Sequence, residues 1–356
     1  MNPSRNSTTA IMVVCAIIFV AFTFIYVFFY QSDLLLVEQH VLSKGQTQYH
    51  PLIGAVIITI ALWLLQRLVN SVCRLTKSAY ALTFLPSLLV LTIITGINED
   101  IDKVAPFGKW VWIAPPIIIV FALAAWLLRK YQEIESEPKS PVLFSKCMWV
   151  NLLTLFVMFF LVGISSNHDK TFHQRLRIER LLNENQPAEA LSVGQKARYA
   201  DACTTMLRVH ALAQTNQLGQ RLFEYPVVGG DSALTPNAKT CKPLLYPASK
   251  INLQKKKSAI EYQLCQLLLS KDLQGFANLL TRKYPLDKPL PKHYKEALFL
   301  YTKLTKNPTV TMKDTVIEVD YSDFNKLRTD NTDKDVQQAL AYDSYGKTYW
   351  YYYFYE

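Results

Sequence analysis

The chain has 356 residues, of which 50% are hydrophobic and only 19% charged, and its formal net charge is +10. That composition is shifted away from an ordinary soluble protein. The excess of base is scattered among acids and no nucleic-acid module is recognisable, so nucleic acid is not expected as a partner; a basic domain beside anionic membrane lipid accounts for the sign.

The two halves differ. Residues 1–164 hold 11 Lys/Arg and 8 Asp/Glu, whereas residues 165–356 hold 27 and 20. The expected organisation is a transmembrane domain over 1–164 followed by a charged extracytoplasmic domain over 165–356.

Residues 11–30, IMVVCAIIFVAFTFIYVFFY, carry no charge. At about 1.5 Å per residue they are long enough to cross a hydrocarbon core of about 30 Å. The run ends in bulky aromatics, with no small-residue cleavage site, and Cys15 follows too little apolar sequence to be a lipoprotein cysteine, so an uncleaved anchor is expected. Four more apolar runs, 52–68, 80–97, 110–128 and 147–164, predict five spanning helices in all. Pro115 and Pro116 lie in the fourth, where a kink is expected before a break.

The short loops set the orientation. One side receives Arg5, Arg67, Arg74, Lys77, Arg129, Lys130, Lys139 and Lys146; the other receives Lys44, Lys103 and Lys109, among Glu99, Asp100 and Asp102. The first side is expected to be cytoplasmic, which places the N-terminus there and the second domain outside, in the periplasm of a diderm bacterium. The interiors of the five runs hold no Asp, Glu, Lys, Arg or His. Transporters and proton relays usually keep such groups at membrane depth, so a transporter is disfavoured. Asn151 is the main polar exception, and is expected to be an interhelical hydrogen-bonding residue.

The loop after the first run, QSDLLLVEQHVLSKGQTQYH, places Glu38 and His40 among Leu34, Leu35, Leu36, Val37, Val41 and Leu42. It holds the ingredients of an acid/base site without motif geometry. A short helix on the membrane surface is the favoured reading.

In the second half, helical spacing dominates. LLNENQPAEAL at 181–191 aligns with LAQTNQLGQRL at 212–222 and LLSKDLQGFANLL at 268–280. The first two are spaced near the tetratricopeptide period of about 34, and the wider second gap fits a loop insertion near 225–255, rich in Pro and Gly. PKHYKEALFLYTKL is a further amphipathic helix. Such helices bury their apolar faces by stacking, which makes a binding scaffold. TVIEVDY alternates in part and is expected to be a short strand. DNTDKD at 330–335 lacks the Gly and Glu of a calcium loop and is expected to start a helix.

No zinc pattern joins the six cysteines; Cys203, Cys241 and Cys265 leave room for one disulfide. His168, His173, His210 and His293 are dispersed, and neither a nucleophile elbow nor a phosphate loop occurs. No catalytic residue, metal or cofactor is expected. Seven consecutive aromatic residues, Tyr349, Trp350, Tyr351, Tyr352, Tyr353, Phe354 and Tyr355, precede the last residue, Glu356. They are the candidate interaction surface: rings that close the helical stack, or that meet a partner groove or the headgroup layer.

NQLGQRLFEYP, LPKHYKEALFLYTKL and YGKTYWYYYFY resemble an uncharacterised family of Bacteroidetes inner-membrane proteins that joins a multi-helix membrane region to a helical-repeat tail. The resemblance covers most of residues 170–356, with a looser echo in LLLVEQHVLSKGQTQY, and implies no activity or cofactor. The sequence therefore points to an all-α architecture, five membrane helices followed by a tetratricopeptide-like domain, and to a scaffold that contacts lipid and an envelope protein. The alternatives are an enzyme, or enzyme subunit, acting on a lipid-linked substrate at the outer face and, less favoured, a transporter.

Overall fold

The computed structural model describes residues 3–98, 101, 107–130, 145–234, 241–247, 249–251, 259–284, 289–330 and 333–356. Glu99, Asp100, Asp102, Lys103, Lys139 and Pro236, together with Asn331 and Thr332 of the DNTDKD segment, lie outside the described residues. Contacts divide the chain into two compact units, Met1–His173 and Gln174–Glu356. All regular structure among the described residues is helical.

Five helices of the first unit are long and apolar enough to cross a membrane: Thr9–Tyr30, Pro51–Cys73, Lys77–Thr95, Trp110–Lys130 and Lys146–Ser165. We label the elements of this unit α1 (Pro3–Ile25, continued by a π turn to Tyr30), α2 (Ser32–Leu42), α3 (Pro51–Cys73), α4 (Leu85–Thr95), α5 (Trp110–Lys130) and α6 (Lys146–Ser165). Each packed helix buries one stripe at helical spacing: Ile11, Cys15 and Phe19 in α1, Ala55, Thr59, Leu62 and Gln66 in α3, Met148, Asn151, Leu155, Met158 and Val162 in α6. The other faces expose Ile17, Ile57, Leu64, Phe156 and Phe160, which suits helices surrounded by lipid. α5 runs unbroken through Pro115 and Pro116 and buries little besides Ala114 and Ala125.

The third span starts earlier than the apolar run, at Lys77, because Lys77–Phe84 forms a 3-10 stretch ahead of α4. Pro86 in the first turn of α4 donates no backbone hydrogen bond, which favours the tighter winding before it. Gln66 donates to the Tyr80 hydroxyl at 3.1 Å and to Thr83 Oγ1 at 2.9 Å, while Asn151 accepts from Ala81 N at 2.6 Å and donates to Lys77 O at 2.7 Å. Asn151 is thus the interhelical tie that its position suggested. α2 is a helix as expected, with Leu34, Leu35, Val37 and Glu38 turned into the unit.

The second unit contains α7 (Lys170–Asn183, which begins just before the unit boundary), α8 (Pro187–Ser192), α9 (Ala202–Gln214), α10 (Leu218–Arg221), α11 (Ala259–Leu269), α12 (Leu273–Lys283), α13 (Lys292–Leu304), α14 (Thr315–Asp330), α15 (Lys334–Tyr345) and α16 (Tyr349–Tyr355). Three of its turns share one hydrogen-bond pattern. Gln186, Gln217 and Asp272 donate to the carbonyls of Leu181, Leu212 and Leu267, each five residues back, and the residues before them, Asn185, Asn216 and Lys271, are left-handed. These Schellman closures end α7, α9 and α11 at the three aligned segments and reverse the chain.

The described stretch 241–247 is tied down by a Cys203–Cys241 disulfide and by Glu179. The fully buried Glu179 carboxylate meets Arg175 and accepts from the backbone N–H groups of Leu244, Leu245 and Tyr246 at 2.8, 2.7 and 3.3 Å. TVIEVDY is not a strand. It opens α14, because Ile317, Tyr321 and Phe324 recur at three- and four-residue spacing and pack on the core, while Val316 and Val319 stay exposed. Asp333 caps α15, its carboxylate accepting from Asp335 N at 2.9 Å.

A candidate binding groove beside the aromatic helix

The seven terminal rings form α16, whose N-cap Thr348 accepts from Tyr351 N. Tyr349, Trp350, Tyr351 and Tyr352 are buried, and Tyr353, Phe354 and Tyr355 pack against the same core. The first four rings are therefore core elements rather than an open surface. Tyr349 and Tyr352 each lie about 5 Å from the Phe223 ring, at 5.1 and 4.9 Å. Their hydroxyls donate to Leu268 O at 3.2 Å and Leu269 O at 2.8 Å, which satisfies the polar tips of buried tyrosines. Burial pushes the Tyr352 phenol up to about 12.

Glu296 anchors the start of this helix. Its side chain is 6% exposed, and Oε2 accepts from Tyr349 N at 2.8 Å. The same oxygen faces His293 Nδ1 at 2.9 Å, while Phe223 N donates to His293 Nε2 at 3.3 Å. A ring nitrogen that accepts carries no proton, so the imidazole proton sits on Nδ1 and is donated to Glu296. A carboxylate at a helix N-terminus is favoured by the exposed N–H groups there.

With α16 fixed, its outer edge and α15 form one wall of a groove; residues 195–200 and 223–228 form the other. The groove comprises two adjoining cavities of about 430 and 590 Å³ that share Arg198, Pro226, Tyr342, Asp343, Tyr351 and Glu356. Lys196, Lys292 and Lys347 line the first; Val227, Val228, Ala339 and Asp335 line the second. Arg198 Nη2 reaches across to Asp343 Oδ1 at 3.3 Å, with its guanidinium 5.4 Å from the Tyr342 ring centre. Glu224 is held by Arg221 at 2.8 Å, and burial raises the Glu356 carboxyl against the opposing pull of Lys271.

Buried Arg208 shapes the first wall from behind. It donates Nη2 to Val193 O and Gly194 O at 3.2 and 3.3 Å and lies 5.2 Å from the Tyr225 ring centre, while burial lowers its pKa. Gly194 has φ +63°, and a Cβ there would strike Arg208 and Gln174, so the turn that carries Lys196 requires glycine. The groove thus combines aliphatic lining with charged residues, between a helical wall and one of turns.

Glu38 and His40 lie in the first unit on α2. Two residues apart, they do not share a helical face, and no hydrogen bond joins them among the described residues. Burial pushes the Glu38 carboxyl up to about 7 and, with the Glu38 charge, the Tyr49 phenol up to about 12. The Tyr49 hydroxyl is buried with no hydrogen-bond partner among the described residues, and its ring covers Gly54. Glu38 and Tyr49, rather than Glu38 and His40, are the electrostatically coupled pair. His210 is buried and its pKa lowered to about 4 by desolvation; it shares Tyr246 with Gln214 through contacts of 2.8 and 3.3 Å. No three His, Cys, Asp or Glu residues lie close enough to hold a metal ion among the described residues.

Residues 248–356 match a family of unknown function, DUF6057. The matched stretch contains α11 to α16, hence the aromatic helix and one wall of the groove, while the Arg198 wall lies outside it. No curated protein and no solved structure matches the chain.

Proposed function

We propose that the protein is a membrane-anchored scaffold of the bacterial cell envelope whose second unit binds a partner protein in the groove between residues 195–228 and α15–α16. The observation that carries this reading is the groove itself, an apolar floor of Pro226, Val227 and Ala339 with Arg198, Asp335 and Asp343 on its rim. Interfaces of moderate affinity have such apolar centres and polar rims. The three matching Schellman turns support a tetratricopeptide-like repeat, a class that uses stacked helices to present binding surfaces. The resemblance to Bacteroidetes proteins and the five apolar helices support an inner-membrane location.

The eight-to-three bias of Lys and Arg between the two sets of loops supports a cytoplasmic N-terminus and a periplasmic second unit. The Cys203–Cys241 disulfide is in keeping with an oxidising compartment. Incorporating a photocrosslinking residue at Ala339 or Val228 of the full chain in native membranes tests the groove. Discrete protein adducts are expected from both positions and not from exposed Lys326 on α14; equal adducts from all three, or none, would overturn the proposal.

A second reading, an enzyme or enzyme subunit acting on a lipid-linked substrate, is favoured by one observation: the Glu38 carboxyl, held near 7, is poised for proton transfer at neutral pH. Under this reading Glu38→Gln abolishes turnover of a lipid-linked substrate in folded protein. Under the scaffold reading it leaves the crosslinked adducts unchanged.

A further inference from the structure

We propose that the partner segment seated in this groove is acidic, and that one of its carboxylates takes the place of Asp343 on Arg198. The inference rests on the groove being the binding surface and adds the chemistry of its occupant. Arg198 and Asp343 stand on opposite walls, with side chains 66% and 65% exposed, so their pairing at 3.3 Å crosses the opening like a bar. Such exposed pairs contribute little, and a carboxylate arriving from outside exchanges for Asp343 at small cost.

The charges of the first cavity favour the same occupant, while Asp335 lines only the second. Glu224 is engaged by Arg221, and Glu356 is opposed by Lys271. Lys292 donates to Lys347 O at 3.1 Å and lies 3.8 Å from Glu296 Oε1. Lys196 and Lys347 line the first cavity with no ion pair among the described residues. Once Asp343 is displaced, the cavity therefore presents Arg198, Lys196 and Lys347 to the incoming group, and opposite charge across an interface steers and orients association.

The floor selects a polypeptide over a sugar chain. Sugars stack on open ring faces, whereas Tyr342 and Tyr351 meet edge to face at 5.4 Å and 71°, and Arg198 covers the Tyr342 ring. Only Tyr199, 81% exposed at the rim, offers an uncovered ring among the tyrosines of the groove. Pro226, Val227 and Ala339 instead provide aliphatic surface for side chains that alternate along an extended segment.

The test uses the full chain in phosphatidylcholine nanodiscs, titrated against fluorescein-labelled (Glu-Tyr)4 and (Gln-Tyr)4 and read by anisotropy. The acidic peptide is expected to bind at least tenfold more tightly than its neutral counterpart. Asp343→Asn removes the internal competitor and should tighten binding of (Glu-Tyr)4 by about two- to fivefold, the scale of one exposed ion pair. Combined Lys196→Glu and Lys347→Glu should weaken it at least tenfold. A gain of affinity in Asp343→Asn cannot arise from misfolding, so that variant keeps the test decisive if the lysine pair perturbs the fold.

Equal binding of both peptides, or unchanged or weakened binding in Asp343→Asn, overturns the proposal. Displacement of the probe by an oligo-uronate at lower concentration than by unlabelled peptide overturns it in favour of an anionic glycan. Adducts at Ala339 in native membranes without preference for (Glu-Tyr)4 would leave the groove standing and remove only its acidic occupant. Absence of both would remove the two together.

Discussion

Replacing Glu296 by alanine should unseat the aromatic helix. The substitution removes one acceptor from two buried donors, Tyr349 N–H at 2.8 Å and His293 Nδ1–H at 2.9 Å, at positions where both partner residues are fully buried. Hydrogen bonds to a charged group contribute about 1.5–3 kcal/mol each, and a donor left buried without an acceptor is penalised on the same scale. Lys292, 3.8 Å away and 39% exposed, adds little to this. The expected cost is about 4 kcal/mol, a large share of the 5–15 kcal/mol that typically stabilises a domain. Glu296→Gln, whose amide oxygen can stand in for Oε2 and accept from both donors but without the charge, should cost about half as much, roughly 2 kcal/mol. Peptide-resolved hydrogen exchange on the full chain should show protection of residues 351–355 falling by about three orders of magnitude in Glu296→Ala, since each 1.4 kcal/mol is tenfold. A fall of less than tenfold, with the rest of the unit unchanged, would refute Glu296 as the anchor.

Glu38→Gln should stabilise the first unit in a pH-dependent way. The folded carboxyl titrates near 7 against an ordinary value of 4.5, so folding is unpenalised below pH 4.5 and loses up to about 3 kcal/mol as pH rises to 7. The variant's unfolding midpoint should exceed the parent's at pH 8 and match it at pH 4; equal differences at both values would exclude the buried carboxyl as the cause. Cys203→Ser opens a loop with a sequence separation of 38, at a cost of about 4 kcal/mol on the chain-entropy account. Reductant should lower the melting temperature of the parent protein and leave this variant unchanged. Asn151→Leu removes ties to Ala81 N and Lys77 O and should cost about 1–2 kcal/mol in detergent unfolding, whereas Thr154→Val on the exposed face of α6 should be near neutral.

The membrane helices were legible because an uncharged run of spanning length carries its own evidence. Their ends were less so: Lys77 is charged and lies outside the apolar run, yet it opens the third span through the 3-10 stretch that Pro86 favours. The strand expected at TVIEVDY shows how a short alternating window misleads. Extending it to Phe324 brings out the helical stripe of Ile317, Tyr321 and Phe324. Glu38 could be singled out in sequence, but its partner could not, since Tyr49 lies beyond the turn after α2. The groove was illegible for a similar reason: Arg198 and Asp343 are separated by 145 positions and meet only after the intervening helices have stacked. Of the three cysteines in the second unit, nothing in their spacing marked Cys203 and Cys241 as the bonded pair.

The burial of Tyr349 to Tyr352 has a consequence for how the protein is made. These rings pack against Phe223, Leu268, Leu269 and Glu296, all of which leave the ribosome earlier. Until translation passes Tyr352, the surface that Tyr349 and Tyr352 cover at Phe223, Leu268 and Leu269 stays open in a nascent second unit. Helices with local contacts form as they emerge, but this closure waits for a partner distant in sequence. A product that stops short of residue 349 therefore leaves that surface uncovered and suited to capture by chaperones and proteases.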